Sequence, residues 1–382
     1  MHRKSPYFLI IAVAGLIVLG LVMLYSTSAF AGRGEEDALW ALKRQGMWLG
    51  IGLFVCTVAG RLDYHFWQRT WWVWFGLSVI LLIMCFMPEP ISRPRNGSSR
   101  WINIGISSFQ PSELAKFAAV TALAWWFARD RLETEFRRGF IYPLAIVGVL
   151  LALIIPEVDL GSTALIGATA IIVMFVAGTR MRYLGPSILV GIAALGIVIW
   201  SMPERSGRFL AFLYPEEYPA DAYQVVQGLI ALGSGGVPGL GLGNSRQKLN
   251  YLPEAHTDFI FPIIGEELGL KFTLLVVLAY LVIIMAGAMI SLNARDRFGV
   301  LLGFGLVTII TLQAAVNIGV TTSMLPNKGL PLPFISYGGS NLVFCLLSVG
   351  VLLNLYKQSD HSPGEKAEVR LKARTRPRVV RI

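Results

Sequence analysis

The sequence predicts an all-α, polytopic membrane helix bundle of about ten transmembrane helices, with a large outer loop between spans seven and eight. Three observations predict it. Of the 382 residues, 55% are hydrophobic and only 15% charged, against about 25% charged in a soluble domain. Apolar stretches recur along the chain, each near the ~20 residues that cross the hydrocarbon of a bilayer. Lysine and arginine gather in alternate connections, as the positive-inside rule requires of short inner loops.

The apolar stretches lie near 7–30, 45–60, 70–88, 111–128, 140–156, 160–178, 183–202, 271–291, 299–323 and 338–356. The first follows His2-Arg3-Lys4 and ends on Ala29-Phe30-Ala31, an arrangement that imitates a signal peptide. Its apolar run from Tyr7 to Tyr25 exceeds the roughly 7–15 residues of a signal core, so it reads as a retained helix. The fifth and sixth stretches nearly touch at Val158, where a short turn must reverse the chain. Trp71, Trp72, Trp74, Trp125 and Trp126 fall at stretch ends, the place of an interfacial aromatic belt. Cys56, Cys85 and Cys345 all sit inside apolar runs without metal spacing and read as small buried hydrophobes.

Orientation follows from charge. With the N-terminus in the cytoplasm, the inner segments hold Arg3 and Lys4, then Arg61 and Arg69, then Arg129, Arg131, Arg137 and Arg138. Arg180 and Arg182, Arg295 and Arg297, and the eight Lys or Arg from Lys357 onward complete the set. These are 20 of the 33 basic residues, which fits both termini inside and an even number of spans. Residues 1–356 read as one membrane domain. Residues 357–382 read as a basic, disordered cytoplasmic tail suited to anionic lipid heads or a cytoplasmic partner. The net charge of +10 therefore points to membrane topology, not to nucleic acid.

Residues 203–270 break the run of short connections and lie on the outer face. A long connection that is neither a charged linker nor low in complexity is a functional candidate. It contains Glu254-Ala255-His256-Thr257-Asp258-Phe259. A carboxylate at the boundary of water and hydrocarbon is partly desolvated, which raises its pKa toward that of a base. The competing reading makes Thr257 or Asp258 the N-cap of the helix that follows. A second cluster runs Asn96-Gly97-Ser98-Ser99-Arg100-Trp101 and then Gln110-Pro111-Ser112-Glu113-Leu114-Ala115-Lys116. Pro111 suits a first helical turn, and Glu113 and Lys116 share a helix face, either as functional groups or as a structural ion pair. A third is the acidic turn Pro156-Glu157-Val158-Asp159-Leu160-Gly161-Ser162-Thr163, where Asp159 could cap the next helix. A fourth spans Asn327 to Ser340. Its Pro and Gly punctuation forbids a simple helix, and irregular backbone at membrane depth is tolerated only when buried or lining a cavity. Gln313 and Asn317, four apart on the preceding span, read as interhelical hydrogen-bond partners. The run from Gly233 to Gly243 holds six glycines but no Gly-Lys-Ser/Thr, so it reads as flexible loop or close backbone packing. Four histidines, all scattered, make no zinc motif.

These motifs together, over about residues 8–356, resemble the SEDS family of bacterial cell-wall polymerases. The resemblance rests on Arg100-Trp101, Gln110-Pro111-Ser112-Glu113 with Lys116, the 156–163 turn, Tyr223-Gln224 with Gln227, the 252–269 stretch and Ser336-Tyr337-Gly338-Gly339-Ser340. Glu254 to Phe259 and Lys328-Gly329-Leu330 look more like the division branch than the elongation branch. The turn departs from the family's usual Pro-Asp-Leu/Phe-Gly-Thr, since Val158 precedes Asp159 and Ser162 follows Gly161.

The resemblance implies a peptidoglycan glycosyltransferase acting on lipid II, a disaccharide-peptide on undecaprenyl pyrophosphate. Asp258 matches the family's essential loop aspartate, which makes it the expected general base. Arg208, Lys116, Arg246, Lys248 and Lys328 are the basic candidates for the pyrophosphate. Arg100, Glu113, Asp159, Gln224, Gln227, His256 and Ser336 are the further substrate-binding candidates. No cofactor is expected. A divalent cation is compatible with the chemistry, but no cage of oxygen ligands is readable. The implied partners are a class B penicillin-binding protein transpeptidase and other division proteins, in the bacterial inner membrane at the septum. A lipid II flippase and a non-catalytic division scaffold are the alternatives. A flippase should show repeated halves and a polar site at midplane, and a scaffold should tolerate Asp258→Asn.

Overall fold

A computed structural model describes residues 4–28, 40–88, 92, 100–103, 108–129, 135–249 and 251–360. Arg3, the Ala29-Phe30-Ala31 site, Asn96 to Ser99, Arg131 and the tail beyond Asp360 lie outside the described residues. The helices in chain order are α1 (Ser5–Ser28), α2 (Trp40–Arg61), α3 (His65–Arg69), α4 (Trp71–Met84), α5 (Pro111–Arg129), α6 (Arg137–Ile154), α7 (Leu160–Ala177), α8 (Met181–Trp200), α9 (Pro203–Leu213), α10 (Pro219–Gly235), α11 (Ile260–Leu292), α12 (Arg297–Thr321) and α13 (Gly339–Asp360). The only strand pairing among the described residues is a two-residue antiparallel ladder, β1 (Ile102–Asn103) with β2 (Ser108–Phe109), extended by a bridge from Ser92.

Helices occupy all ten apolar stretches. Seven of them (α1, α6, α7, α8, α11, α12 and α13) are long and apolar enough to cross a bilayer by length and composition alone. The other three fall short for visible reasons. The apolar α4 has only 14 residues. The N-terminal end of α2 carries Lys43, Arg44 and Gln45. The third, α5, carries Glu113 and Lys116 but is buried over nearly its whole length. It packs against α4, α6, α7, α12 and α13, so its surface meets protein and needs no lipid-matched face. By contrast α8 buries only Leu184 and presents the rest of its apolar surface outward.

The 203–270 connection is more ordered than its composition predicts. It folds into α9, α10 and the first turns of α11. The glycine-rich run after α10 touches α11 closely at its break, Gly269, whose φ of 77° lies in the left-handed region. A Cβ at Gly269 would stand 2.5 Å from Gly239 N and Val237 O. The freed carbonyls of α11 are taken up by the glycine-rich run. Leu240 N donates to Glu266 O and Gly241 N to Glu267 O, both at 2.9 Å, and Leu270 N donates to Gly236 O. Gly235 and Gly239 therefore serve close backbone packing against α11, because side chains there would hold the two segments apart.

Candidate active site

The loops at one end of the bundle enclose a cavity of about 330 Å³. Asp258 lines it, half-buried, at the end of the loop that leads into α11. The residue that precedes α11 is Phe259, and no side chain caps that helix. Asp258 is thus not spent on capping, and Thr257 Oγ1 donates instead to Glu254 Oε2 at 2.6 Å. Its backbone is held from three directions. Asn317 Nδ2 donates to Asp258 O and to Leu330 O, each at 2.7 Å. Ser336 Oγ donates to Thr257 O at 2.6 Å, and Tyr337 N donates to His256 O at 3.0 Å. These buried polar groups preorganise the loop, since each would be costly to leave unmade.

Four basic side chains from three separate elements line the same cavity as a cationic wall: Arg100 beside the β-ladder, Arg205 and Arg208 on α9, and Lys328 in the α12–α13 loop. Burial pushes the Asp258 pKa up to about 7, helped by the charge of Glu254 and opposed by Arg100 and Arg208. Burial and the charge of Arg205 push Lys328 down to about 8, with Asp159 opposing. Desolvation thus brings an acid and a base from opposite ends of the scale to within about a unit of each other, the pattern of groups tuned for proton transfer. Beneath the cavity, burial and the charge of Asp159 push Glu157 up to about 8.

Asp159 does cap α7, accepting from Ser162 N at 3.1 Å. Its other oxygen accepts from Gln110 Nε2 and Ser112 Oγ, both at 3.1 Å, and Arg100 Nη1 stands 3.9 Å away. The capping and site readings of this residue coexist. A Cβ at Gly329 would stand 2.5 Å from Asp258 Oδ2, so the glycine leaves the carboxylate its space.

Residues 7–361 match the profile of the FtsW/RodA/SpoVE family, described as cell cycle proteins. The chain belongs to that family. It is 40% identical over 366 residues to the probable peptidoglycan glycosyltransferase FtsW of Geobacter metallireducens, covering 95% of this chain and 97% of that one. It is 38% identical over 367 residues to the stage V sporulation protein E of Bacillus subtilis, covering 94% and 98%. Among solved structures, RodA of Thermus thermophilus superimposes with a TM-score of 0.69 at 25% identity, covering 92% of this chain and 96% of that one. A chain from a structure of a peptidoglycan synthase complex that coordinates polymerization and crosslinking gives a TM-score of 0.76 at 24% identity, covering 92% and 98%, and speaks for the fold alone. This is the SEDS family of the motif reading, and the relatives named FtsW agree with its division branch.

Within this family member, the motif residues divide. Arg100, Glu113, Asp159, Arg208, Gln224 and Lys328 line the cavity with Asp258. His256 and Ser336 hold the loop from behind through the hydrogen bonds given above. Lys116, Arg246, Lys248 and Gln227 are not among the lining residues. Lys116 is buried against Glu113 at 2.7 Å and donates to Gln313 Oε1 at 2.6 Å, and Asn341 Nδ2 completes the carboxylate. Lys248 is buried against Glu267 at 2.8 Å and donates to Ser26 of α1. Arg246 lends its backbone N–H to Glu266, which also accepts from Ser245 Oγ. Two lysines read as pyrophosphate candidates are thus neutralised inside the bundle. Conversely, nothing in the sequence pattern singles out Arg205, Trp40, Arg44 or Trp48, which also line the cavity. Among the described residues, no group of three or more His, Cys, Asp or Glu is placed to hold a metal ion.

Proposed function

We propose that this membrane protein is a peptidoglycan glycosyltransferase that polymerises lipid II on the outer face of the bacterial inner membrane, with Asp258 as general base. The observation that carries this reading is a carboxylate raised to about 7 in a cavity that also presents Arg100, Arg205, Arg208 and Lys328. The carboxylate takes the proton of the acceptor's GlcNAc 4-hydroxyl as that oxygen bonds to the anomeric carbon of the donor MurNAc. The bond from that carbon to the pyrophosphate oxygen breaks, the electron pair leaves with the undecaprenyl pyrophosphate, and configuration inverts. A base whose pKa lies near the working pH is half ready and still strong enough to pull the proton. The cations stabilise charge where it develops on the leaving group, in a setting shielded from bulk water. The lipid tail stays in hydrocarbon while the head group enters between the helices.

The same reading places both termini and the basic tail in the cytoplasm and the protein at the division septum. Its partner is a class B penicillin-binding protein that cross-links the strands, alongside other division proteins. The deciding experiment uses purified protein with its transpeptidase partner and labelled lipid II. Asp258→Asn should lower polymerisation by at least about 10²-fold and leave lipid II binding and the unfolding midpoint unchanged. Full polymerisation by that variant would remove Asp258 from the mechanism. Translocation of lipid II into sealed vesicles by the chain alone would replace the polymerase by a transporter.

A further inference from the structure

The cavity is chemically two-sided. The cationic wall described above is built largely by α9 and the α12–α13 loop. The remaining wall comes from other elements and has another character. Trp40, Arg44 and Trp48 reach it from α2, and Tyr337 from the segment before α13. α2 packs on α1 and α13, whereas α9 packs on α8 and α10, so the two walls belong to different parts of the bundle.

The aromatic wall is fixed in place. The Trp40 and Tyr337 rings lie 6.0 Å apart at 36°. Arg44 sits 4.5 Å from the Trp40 ring centroid, a cation–π contact that orients the indole. A Cβ at Gly339 would overlap the Trp48 indole, so that ring lies against bare backbone. Gln45, buried on the same helix, donates to Ser336 O at 3.2 Å and accepts from Gly338 N at 3.3 Å. The segment carrying Tyr337 is thereby tied to α2. Trp40 nevertheless stays 41% exposed, a large aromatic surface left open beside a polar cavity.

We propose that Trp40, Trp48 and Tyr337 form a pyranose-stacking subsite that seats the acceptor sugar, while the cationic wall takes the donor's pyrophosphate. The inference rests on the polymerase reading and adds to it a division of the cavity. A pyranose presents C–H groups on one face and hydroxyls at its edge. The C–H face suits the negative face of an aromatic ring, and the edge needs hydrogen-bond partners. Arg44, Gln110, Ser340 and Asn341 line the cavity among these rings. An isoprenoid chain would gain nothing from that polar interleaving, and a phosphate would find a single cation there.

Position selects the acceptor over the donor. The leaving pyrophosphate must face the cations. The acceptor hydroxyl must face Asp258 from elsewhere. Tyr337 meets that need, because its ring lies 5.9 Å from His256 and its N–H is bonded to the carbonyl of that residue, two positions before Asp258. A sugar stacked on the Tyr337 side has its edge at the base.

Two soluble probes test this on the full chain in nanodiscs. One is GlcNAc–MurNAc-peptide without lipid or pyrophosphate, followed by saturation-transfer NMR. The other is inorganic pyrophosphate, followed by calorimetry. Trp40→Ala should weaken disaccharide binding about ten-fold and leave pyrophosphate binding unchanged, and Trp40→Phe should recover most of it. Arg208→Gln should do the reverse. With the transpeptidase present, Trp40→Ala should raise KM for lipid II and leave kcat within about two-fold, the signature of lost uniform binding. Disaccharide binding unchanged by Trp40→Ala, or pyrophosphate binding weakened equally, overturns the subsite. Disaccharide binding that depends on Trp40 in a chain that fails to polymerise lipid II keeps the subsite and overturns the polymerase reading alone.

Discussion

Two regions of this molecule hold charge in opposite ways. Inside the bundle, Glu113, at the edge of the cavity, meets Lys116, and Glu267 meets Lys248, each pair at 2.7–2.8 Å with every partner nearly fully buried. In the cavity, Asp258, Arg100, Arg208 and Lys328 are brought near one another while facing open volume. The paired groups are neutralised on site and serve packing. The cavity groups face a volume that a ligand can enter. A lone charge count cannot separate the two classes, and the difference lies in what each group faces.

That comparison can be broken by moving a charge from one class to the other. Lys116→Met strands Glu113 in the bundle and should destabilise the protein by about 3–5 kcal/mol, read as a lower unfolding midpoint in detergent. The double variant Glu113→Gln with Lys116→Met should regain most of that loss, because a buried pair is worth little net. Lys328→Met, in the cavity, should leave the midpoint nearly unchanged and lower kcat by about 10²-fold, as removal of one stabilising cation does. Equal effects of Lys116→Met and Lys328→Met on stability would erase the distinction.

Smaller changes sharpen it. Gly329→Ala puts a methyl against the Asp258 carboxylate and should lower kcat about ten-fold. Gly148→Ala, on α6 with nothing near its Cβ position, should be silent. The pH dependence follows from two signs. Activity should rise as Asp258 loses its proton near pH 7 and fall as Lys328 loses its positive charge near pH 8, giving a narrow bell. Glu254 is a negative charge that holds the Asp258 pKa up. Glu254→Gln should therefore shift the acid limb to lower pH and raise activity at pH 6 while leaving the alkaline limb in place.

The spans were legible because hydropathy at a fixed length is a strong signal, and α5 was legible despite Glu113 and Lys116 because Phe117 to Ala128 are apolar apart from Thr121. The interior of 203–270 was not legible. Its helices α9 and α10 each open on a proline, at Pro203 and Pro219, but neither is long and apolar enough to register by hydropathy at a fixed span length. Asp258 stood out as a lone acid before an apolar run, and only the structure separates it from a helix cap. Lys248 misleads in sequence because its partner Glu267 lies 19 residues away beyond a loop without period. Trp40 and Arg205 belong to the cavity through contacts between elements over a hundred residues apart, which no local pattern records. The glycine-rich run is a similar case: its role becomes visible only beside the break at Gly269.

The buried pair on α5 bears on how the bundle is made. A glutamate and a lysine in the first two turns of a segment each oppose its partition into lipid, by up to roughly 2–3 kcal/mol where they sit deep, and α5 is not among the helices apolar enough to cross alone. The groups that quiet this pair come later in the chain, Gln313 on α12 and Asn341 on α13. During synthesis α5 therefore leaves the ribosome some two hundred residues before its polar partners exist. Its place in the membrane is provisional until the last helices arrive, so truncation before α13 should leave a chain open to membrane quality control.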